Sequence, residues 1–579
     1  MKLAVVSVLA LTKVDMAFAL GAAVDGPDAG ALNQGLEKQL PLVSPLELPE
    51  PKRPDVPEIS NDIDGKATLT IKVFLVEGAT LINNEAIQEV IAPWLNKLIT
   101  INDLKKTTDA IEELYRSKGY LVQATVPPQK IFEGNLRITL TEAKLGEAKV
   151  NEVEGETRFG KQRAIDYLLY ANPIGIALNI DKVRNAVTLL NEIPGVAATS
   201  SLEAGSKPGL TNVNLALYNT PLLTGKVEAN NYGSLTTGSE QGVFQSHLNN
   251  PLGYGDKVSL SGIFSEGSRY VQSGYNFALL PNGLRGGVSG TYLNYENIGT
   301  FKNNGGTGYA YILGASLAYP LLRAPKTNLN VGLNYDNKTY QNQNIATNTI
   351  ISDYRINNVT LSLSGNHFDG FLAGGTSNAA VNFIYGNLDV FSDTPANYMH
   401  YQSGNQSISY AVRNYFKLYT SLSRNQVLIP DSTNLIFNLS GQIASGNLNS
   451  AEQFYLGGST GIKAYPVAQG NGSNGAMGTL ELKQALPYHF TGSSFVGAGA
   501  VQQYVNTFTN WQGKTNAPNT YAIADTGLGL NFKYKGFNID SSVAWTIGNN
   551  PLYNATGQAL NIDSTTWNPR FWLSGSYTL

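Results

Sequence analysis

Residues 222–579 constrain the fold most strongly, because one pattern repeats along their whole length. Stretches of about ten residues alternate apolar side chains with polar or small ones, and loops rich in Gly, Asn, Asp, Ser and Pro separate the stretches. Leu333 and Tyr335, for example, alternate with Gly332 and Asn334. Successive side chains of a β-strand point to opposite faces, so each stretch predicts a strand with one apolar face.

The polar face of these strands decides between two β-architectures. A soluble β-sandwich would carry charge there, whereas this chain carries mostly small or amide side chains, and its aromatic residues lie near strand ends. Charged residues make up 14% of the chain, against about 25% in ordinary soluble proteins. We therefore predict an all-β transmembrane barrel of about 16 antiparallel strands. The strands are expected to start near residues 222, 239, 254, 268, 284, 308, 326, 353, 376, 405, 432, 476, 493, 519, 536 and 569.

The residue inventory argues against several functions. The chain contains no Cys, so disulfides and thiolate metal sites are impossible, and its 4 His are scattered. A net charge of -3 offers no electrostatic footprint for nucleic acid. Nothing resembles a catalytic triad. We therefore predict no enzyme activity, no catalytic residue, no cofactor and no metal site.

Residues 1–19 predict an export signal, since Lys2 precedes an apolar stretch and Ala17-Phe18-Ala19 forms a cleavage site. Lys13 and Asp15 interrupt this stretch, and a misplaced start codon is the alternative.

Residues 27–40 predict a short helix on a long tether. Asp28 suits the N-cap, and three leucines repeat on one face, namely Leu32, Leu36 and Leu40. Residues 41–67 read as an extended linker, with six prolines in its first part. A helix this short is marginal in water, so it must dock or be disordered. The layout predicts a removable plug, with a floppy N-terminus as the alternative.

Residues 68–143 and 144–220 predict two copies of one small α+β module. Each copy reads as strand, helix, helix, strand, strand, which is an internal repeat. The first copy is expected to have a strand over 68–76, helices near 84–91 and 102–118, and strands over 120–126 and 135–141. Repeated modules without catalytic motifs favour a binding surface. An edge strand of the first module could accept an extended peptide by strand addition at Val122, Ala124 and Val126.

A loop at about 446–478 is unusually rich in Gly, Asn and Ser and joins two strands of the predicted barrel. Glycine at this density lets backbone approach backbone closely, so the loop can fold into a narrow space. We predict that it lies inside the barrel, with a tip made of Ile462, Lys463, Ala464 and Tyr465. The alternative is an external loop on which Lys463 is solvated.

The complete layout resembles the outer-membrane transporters of two-partner secretion, the haemolysin secretion/activation family. PDAGALNQGLEKQLP resembles the plug helix of that family and the start of its linker. YRSKGY with VPPQKIFEGNLRITLTEA resembles its first polypeptide-transport-associated (POTRA) domain, and NNYGS with NPLGYGD resembles its first barrel hairpins. The resemblance implies a plug helix, two POTRA domains and a 16-stranded barrel with an in-folded loop.

The loop tip departs from the pattern of this family. The usual tip reads Val-Arg-Gly-Tyr, and its Arg pairs with an Asp in a Phe-x-Asp pattern on the inner wall. This chain has Ile462-Lys463-Ala464-Tyr465, and Gly497 stands where the Asp is expected. Lys gives a point charge and not the bidentate fork of Arg. Lys463 must therefore find another acceptor, such as Glu481 or Asp525, or water.

The resemblance implies a protein translocator in the outer membrane of a Gram-negative bacterium, with its POTRA domains in the periplasm. It would bind an unfolded exoprotein (a haemolysin, adhesin or haem-uptake protein) and export it through the barrel without nucleotide. Its expected partners are this exoprotein and outer-membrane lipid, and no nucleic acid. A barrel-assembly factor of the same superfamily is the alternative, although such factors carry more modules and lack the tethered plug. A passive porin is disfavoured by the repeated modules.

Overall fold

The computed structural model describes residues 27–40, 68–152, 155–391, 411–508, 511–512, 517–553, 559 and 561–579. The predicted export signal (1–19) and linker (41–67) lie outside these residues. In chain order, the described part consists of one helix, two small modules and a closed barrel. No helix in these ranges is long and apolar enough to cross a membrane.

Helix α1 (Ala29–Glu37) begins at Asp28, whose side chain accepts a hydrogen bond from the N–H of Ala31 at 2.9 Å. A side-chain acceptor at this position satisfies one of the N–H groups that the first turn of a helix leaves unpaired. The sequence therefore sets both the start of the helix and its apolar face.

The first module packs two helices against a three-stranded sheet. Its strands run in the order β2-β5-β4, with β2 parallel and β4 antiparallel to β5. Phe74, Ile111 and Leu136 lie in the buried core between sheet and helices. The elements of this module are β1 (Thr68–Thr70), β2 (Val73–Glu77), α2 (Asn84–Ile91), a 3-10 turn (Ala92–Trp94), β3 (Leu98–Thr100), α3 (Ile101–Ser117), β4 (Val122–Thr125) and β5 (Asn135–Glu142).

The single strand predicted over 68–76 is wrong. The chain forms β1 and β2 with a break at Ile71, because β1 pairs with the unpredicted strand β3 whereas β2 pairs with β5. At the break, the carbonyl of Ile71 accepts the N–H of Asn96, and the N–H of Lys72 turns to Gly134. The chain thus exchanges one partner strand for another at residues 71 and 72. The alternation of apolar and polar residues does not reveal such an exchange.

Two polar residues of the stretch VPPQKIFEGNLRITLTEA have clear structural roles in this module. Gln129, which follows the strand-breaking Pro127 and Pro128, donates to the carbonyl of Arg137 at 2.7 Å and accepts its N–H at 2.9 Å. Its amide therefore substitutes for one residue of β4 beside β5. Glu142, at the end of β5, accepts hydrogen bonds from the loop that follows β2. Both residues fix loops to the sheet.

The second module repeats this topology. Its sheet has the order β6-β8-β7, with one parallel and one antiparallel pair, and the helices pack on one face. Its elements are β6 (Lys144–Glu152), α4 (Lys161–Ala171), α5 (Ile180–Asn191), β7 (Val196–Ala204) and β8 (Leu210–Asn219).

The rest of the chain forms a closed barrel of sixteen antiparallel strands, in which β26 pairs with β9. Strands β20 and β21 pair with each other inside the loop between β19 and β22. The strands are β9 (Leu223–Asn230), β10 (Gln241–Asn249), β11 (Lys257–Phe264), β12 (Ser268–Ala278), β13 (Arg285–Glu296), β14 (Gly306–Arg323), β15 (Thr327–Asn344), β16 (Thr349–Asp369), β17 (Gly375–Val390), β18 (Asn414–Ile429), β19 (Thr433–Ala444), β20 (Phe454–Tyr455), β21 (Asn471–Gly472), β22 (Asn474–Ala485), β23 (Phe490–Gln502), β24 (Thr520–Tyr534), β25 (Phe537–Ile547) and β26 (Arg570–Thr578).

The predicted strand count is confirmed, but the predicted strand length of about ten residues is too short for one side of the barrel. Strands β14 and β15 have 18 residues each and β16 has 21. Fifteen of the sixteen predicted starts lie within about four residues of the observed ones, whereas β18 begins at Asn414 and not near 405.

Candidate functional site

The lumen of the barrel is filled by two segments, helix α1 and the loop 445–473 between β19 and β22. Leu32, Leu36 and Leu40 are each 9% exposed or less, and they pack in one cluster with side chains of the barrel wall. The three leucines thus form the buried face of this segment, as their spacing in the sequence predicts.

Helix α1 docks on the loop as well as on the wall. The hydroxyl of Ser450 donates to Oδ2 of Asp28 at 2.6 Å, and Nζ of Lys38 donates to the carbonyl of Tyr455 at 3.3 Å. A Cβ at Gly30 would lie 2.7 Å from the backbone nitrogen of Ala451, so only glycine permits this approach. Moving the helix therefore breaks its contacts with the loop.

Glu452 fixes the same part of the loop to the wall. Its carboxylate lies 2.9 Å from Nζ of Lys338 on β15 and 2.6 Å from Nζ of Lys417 on β18, and Asn358 on β16 donates to it at 2.8 Å. The Glu452 side chain is only 2% exposed. A buried carboxylate is tolerated when cations and hydrogen-bond donors surround it, so removing either lysine would leave a buried charge poorly compensated.

The loop tip lies deep in the barrel. Ile462, Ala464 and Tyr465 are at most 2% exposed, and they pack against Phe495 on β23 and other apolar side chains of the wall. The Nε1–H of Trp572, on the last strand, donates to the carbonyl of Lys463 at 2.7 Å. Side chains and main chain together hold the tip at this depth.

Asp525 takes the place of the Asp expected at position 497. The two residues are directly opposite each other in the pairing of β23 with β24. Asp525 Oδ2 accepts the N–H of Ala464 at 3.0 Å, and the backbone amides of Lys463 and Gly497 also hydrogen-bond to this carboxylate. A Cβ at Gly497 would lie 2.6 Å from Asp525 Oδ1. The acidic residue therefore lies on the neighbouring strand β24, and its carboxylate fills the space that a side chain at position 497 would need.

The side chain of Lys463 uses a different partner from the one the resemblance implies. Its ammonium lies over the ring of Phe495, 4.3 Å from the centroid, in a cation–π contact. Asp525 binds the main chain of the tip, whereas Glu481, the other candidate, lines the cavity of about 470 Å³ beneath Lys463. The tip is thus held by backbone amides on a carboxylate and by a cation on an aromatic face.

The predicted edge strand of the first module lies at the edge of its sheet, but its side chains face inward. Val122, Ala124 and Val126 are partly buried against the module core. The N–H of Ala124 points away from β5 and donates to Oε1 of Glu112 on α3 at 3.0 Å. Only main-chain groups are therefore available for strand addition, and Glu112 occupies one of them. At the opposite edge, Gln88 donates to the carbonyl of Phe74 at 3.2 Å.

The second module is fixed to the nearest turns of the barrel. Arg323, at the end of β14, forms a two-pronged ion pair with Glu192, with one N–O distance of 3.1 Å. The guanidinium of Arg163 on α4 lies 4.1 Å from the ring centroid of Tyr254, in the turn between β10 and β11. These contacts fix the second module to the barrel.

The sequence did not identify Glu452, Trp572 or Glu112. Glu452 has one sequence signal, since it is the single acidic residue within 446–478. The other two depend on contacts between residues far apart in the chain or on different elements.

Comparisons with known proteins match the chain to one family. The chain matches the family described as haemolysin secretion/activation protein ShlB/FhaC/HecB over residues 209–531, and the POTRA domain, ShlB-type, over residues 69–143. It is 25% identical to the heme/hemopexin transporter protein HuxB of Haemophilus influenzae (strain 86-028NP), over 91% of this chain and 93% of the relative. It is also 25% identical to the outer membrane transporter CdiB of Escherichia coli, over 74% of this chain and 71% of the relative.

Two solved structures share the fold. CdiB from Escherichia coli superposes with a TM-score of 0.66 at 19% identity, over 91% of this chain and 93% of that chain. CdiB from Acinetobacter baumannii gives a TM-score of 0.61 at 17% identity, over 95% and 96%.

Proposed function

This chain belongs to the ShlB/FhaC/HecB family of haemolysin secretion/activation proteins, and on that basis we propose how its parts export one exoprotein. It is an outer-membrane protein translocator of a two-partner secretion system, with its POTRA region in the periplasm. The family match favours export over the barrel-assembly alternative. The proposal concerns where the exoprotein binds, how the lumen opens and which class of exoprotein is exported.

One observation supports the proposed opening of the lumen: α1 and the loop 445–473 occupy it together, and α1 continues into the linker 41–67. In our proposal α1 is the plug, and it leaves the lumen when an exoprotein engages the modules. The linker allows this movement, because a proline-rich chain of this length spans tens of ångströms. The loop remains on Asp525 and narrows the path.

The second part of the proposal places exoprotein binding at the edge of β4. The incoming strand would take the N–H of Ala124 from Glu112, so recognition there would use main-chain groups and tolerate varied sequences. The module would thus bind an unfolded chain before it folds.

The exoprotein class with most support is the haem-uptake type. The alignment with HuxB, whose name describes a heme/hemopexin transporter, spans 91% of this chain, whereas that with CdiB spans 74%. Haemolysins and adhesins are the other two classes.

The test is co-expression of this chain with a candidate exoprotein of the haem-uptake type, in a host without a related transporter. We expect exoprotein in the medium only when this chain is present. Ala124→Pro removes an outward-facing N–H from the middle of the β4 edge and leaves the pairing of β4 with β5 intact, so export should fall at least tenfold while the barrel remains heat-stable. Glu113→Ala, an exposed change on the same helix, is the control. Normal export by Ala124→Pro would contradict binding at this edge.

A further inference from the structure

A continuous apolar row crosses half of the barrel interior along the direction of strand pairing. In the pairing of strands β10 to β17, each member is directly opposite the next. We call this row the lumenal belt, and its members are Val243, Ile263, Tyr270, Leu293, Ala310, Tyr340, Tyr354 and Val390.

Two residues nearer the modules, the same face still carries Ile312, Ile356 and Leu388 among polar side chains, and beyond that row the wall becomes polar. Four residues nearer the modules, on the same face of the same eight strands, the row contains only polar side chains and glycine. Those residues are His247, Ser259, Gly274, Ser289, Gly314, Asp336, Asn358 and Gly386. The inner face of a wide membrane barrel is ordinarily polar, so an apolar band there needs a specific role.

Helix α1, together with Leu448 and Ala451 of the loop 445–473, covers the belt at rest. The six central members have no exposed surface, and they pack in one cluster with Ala29, Leu32, Leu36 and Leu40. The helix has 9 residues, and its length is therefore about 14 Å. The belt crosses seven strand spacings of about 4.8 Å each, or about 34 Å along the wall. The belt is therefore much longer than the helix.

The tyrosines give the belt polar as well as apolar character. The rings of Tyr340 and Tyr354 stack with centroids 5.2 Å apart. Within the part of the chain that the structure describes, the buried hydroxyl of Tyr340 has no hydrogen-bond partner. A polypeptide main chain supplies carbonyl acceptors that such a hydroxyl can use, whereas α1 consumes its own carbonyls within the helix.

We propose that the lumenal belt binds apolar side chains of the unfolded polypeptide during transit, and that α1 is its resting occupant. The inference rests on the proposed function, because it requires an unfolded chain in the lumen. When α1 leaves, the belt presents an apolar surface inside a polar conduit, and such surfaces bind apolar groups. Leucine and aromatic side chains of the passing chain take the place of Leu32 and Leu36. Each contact is weak and non-directional, so the chain can advance from one contact to the next.

The test uses the full chain with the plug undocked by Leu32→Asp and Leu36→Asp, reconstituted in planar bilayers. The probes are two synthetic Gly-Ser-Asn peptides, one with regularly spaced leucines and one with serines in their place. We expect the leucine peptide to block the current at least tenfold longer than the serine peptide, and this ratio of blockade times is the quantity measured. Adding Tyr340→Ser and Tyr354→Ser should reduce that ratio toward one, because two aromatic contacts are lost. Tyr419→Ser, a tyrosine that lines the lumen outside the belt, should preserve it.

An unchanged ratio in the Tyr340→Ser and Tyr354→Ser protein would overturn the proposal, and so would equal blockade by both peptides in the undocked parent. Export in cells by that parent reports on the proposed function separately, so normal export without a leucine effect would reject the belt alone. The Tyr340→Ser and Tyr354→Ser substitutions are also made in the chain with an intact plug. If the belt served only to hold α1, export by this variant would be unchanged or higher. Our proposal predicts that export falls.

Discussion

The contact between Asp525 and the loop tip makes a quantitative prediction about what holds the loop in the lumen. Asp525 is 1% exposed and accepts the N–H of Ala464 at 3.0 Å. A hydrogen bond to a charged group contributes about 1.5–3 kcal/mol, and Asp525→Ala also leaves buried N–H groups unpaired. The cation–π contact of Lys463 with Phe495 is worth about 0.5–2 kcal/mol. Asp525 should therefore matter more than Lys463, although Lys463 was the residue that the sequence emphasised.

Cysteine accessibility at the tip measures this difference. The chain contains no Cys, so Ala464→Cys provides a single reporter that keeps its backbone N–H. If the buried tip is labelled only when the loop undocks, the labelling rate follows the undocked fraction. Loss of about 3 kcal/mol raises that fraction more than hundredfold, whereas loss of about 1 kcal/mol raises it about fivefold. We expect these factors for Asp525→Ala and Lys463→Ala, respectively.

Asp540→Ala is the matched control, since Asp540 lies on the neighbouring strand β25 and lines the cavity beneath the tip without bonding to it. It should leave labelling unchanged. The reasoning is refuted if Lys463→Ala increases labelling as much as Asp525→Ala does, or if neither has an effect. In either case other contacts, such as the Glu452 anchor, would have to hold the tip.

Three further predictions concern the plug and the first module. Deleting residues 28–57 removes α1 from the lumen, so single-channel conductance in planar bilayers should rise; an unchanged conductance would count against the plug. Glu112→Ala frees the N–H of Ala124 and should strengthen binding of the exoprotein, measured by site-specific cross-linking to β4, whereas Glu113→Ala should not; weaker binding would contradict the role given to Glu112. Desolvation disfavours the charged form of Glu142, but hydrogen bonds from Thr80 and its neighbours outweigh it and hold its pKa below the ordinary 4.5. The stabilisation by ionised Glu142 is therefore present above about pH 4.5 and is lost as the pH falls through the lower folded-state pKa. Glu142→Gln should lower the melting temperature of the first module near pH 7 and make that temperature less sensitive to acid. An unaltered acid transition would refute this.

Much of the fold follows from local patterns. The alternation that gives the barrel its sixteen strands is a period-2 pattern, which each strand carries within itself. The first turn of α1 is likewise local, because Asp28 caps a helix that begins at the next residue. The break at Ile71 is different, since it depends on β3 and β5, which lie far from it in the chain. Strand pairing across such separations leaves no periodic signal.

The candidate site shows the same division. The tip residues could be located from glycine density and from a resemblance, but the partner of the tip could not. The sequence offered both Glu481 and Asp525, and strand register decides for Asp525 because it places this residue opposite Gly497 on another strand. The anchor of Glu452 requires cations from β15 and β18, which come together only in the closed barrel. Contacts made by register and closure therefore need the structure.

The central claim is that this chain exports an unfolded exoprotein through the lumen that α1 occupies at rest. The most direct measurement is protease protection in proteoliposomes that contain the purified protein with Asp28→Cys and Ser450→Cys, two positions joined by a 2.6 Å hydrogen bond in the native chain. Unfolded exoprotein is added on the module side without nucleotide. We predict that it becomes protected inside the liposomes when the cysteines are reduced, and not when a disulfide retains the helix on the loop. Equal protection in both states would contradict passage through the occupied lumen, and a requirement for nucleotide would contradict the proposed mechanism.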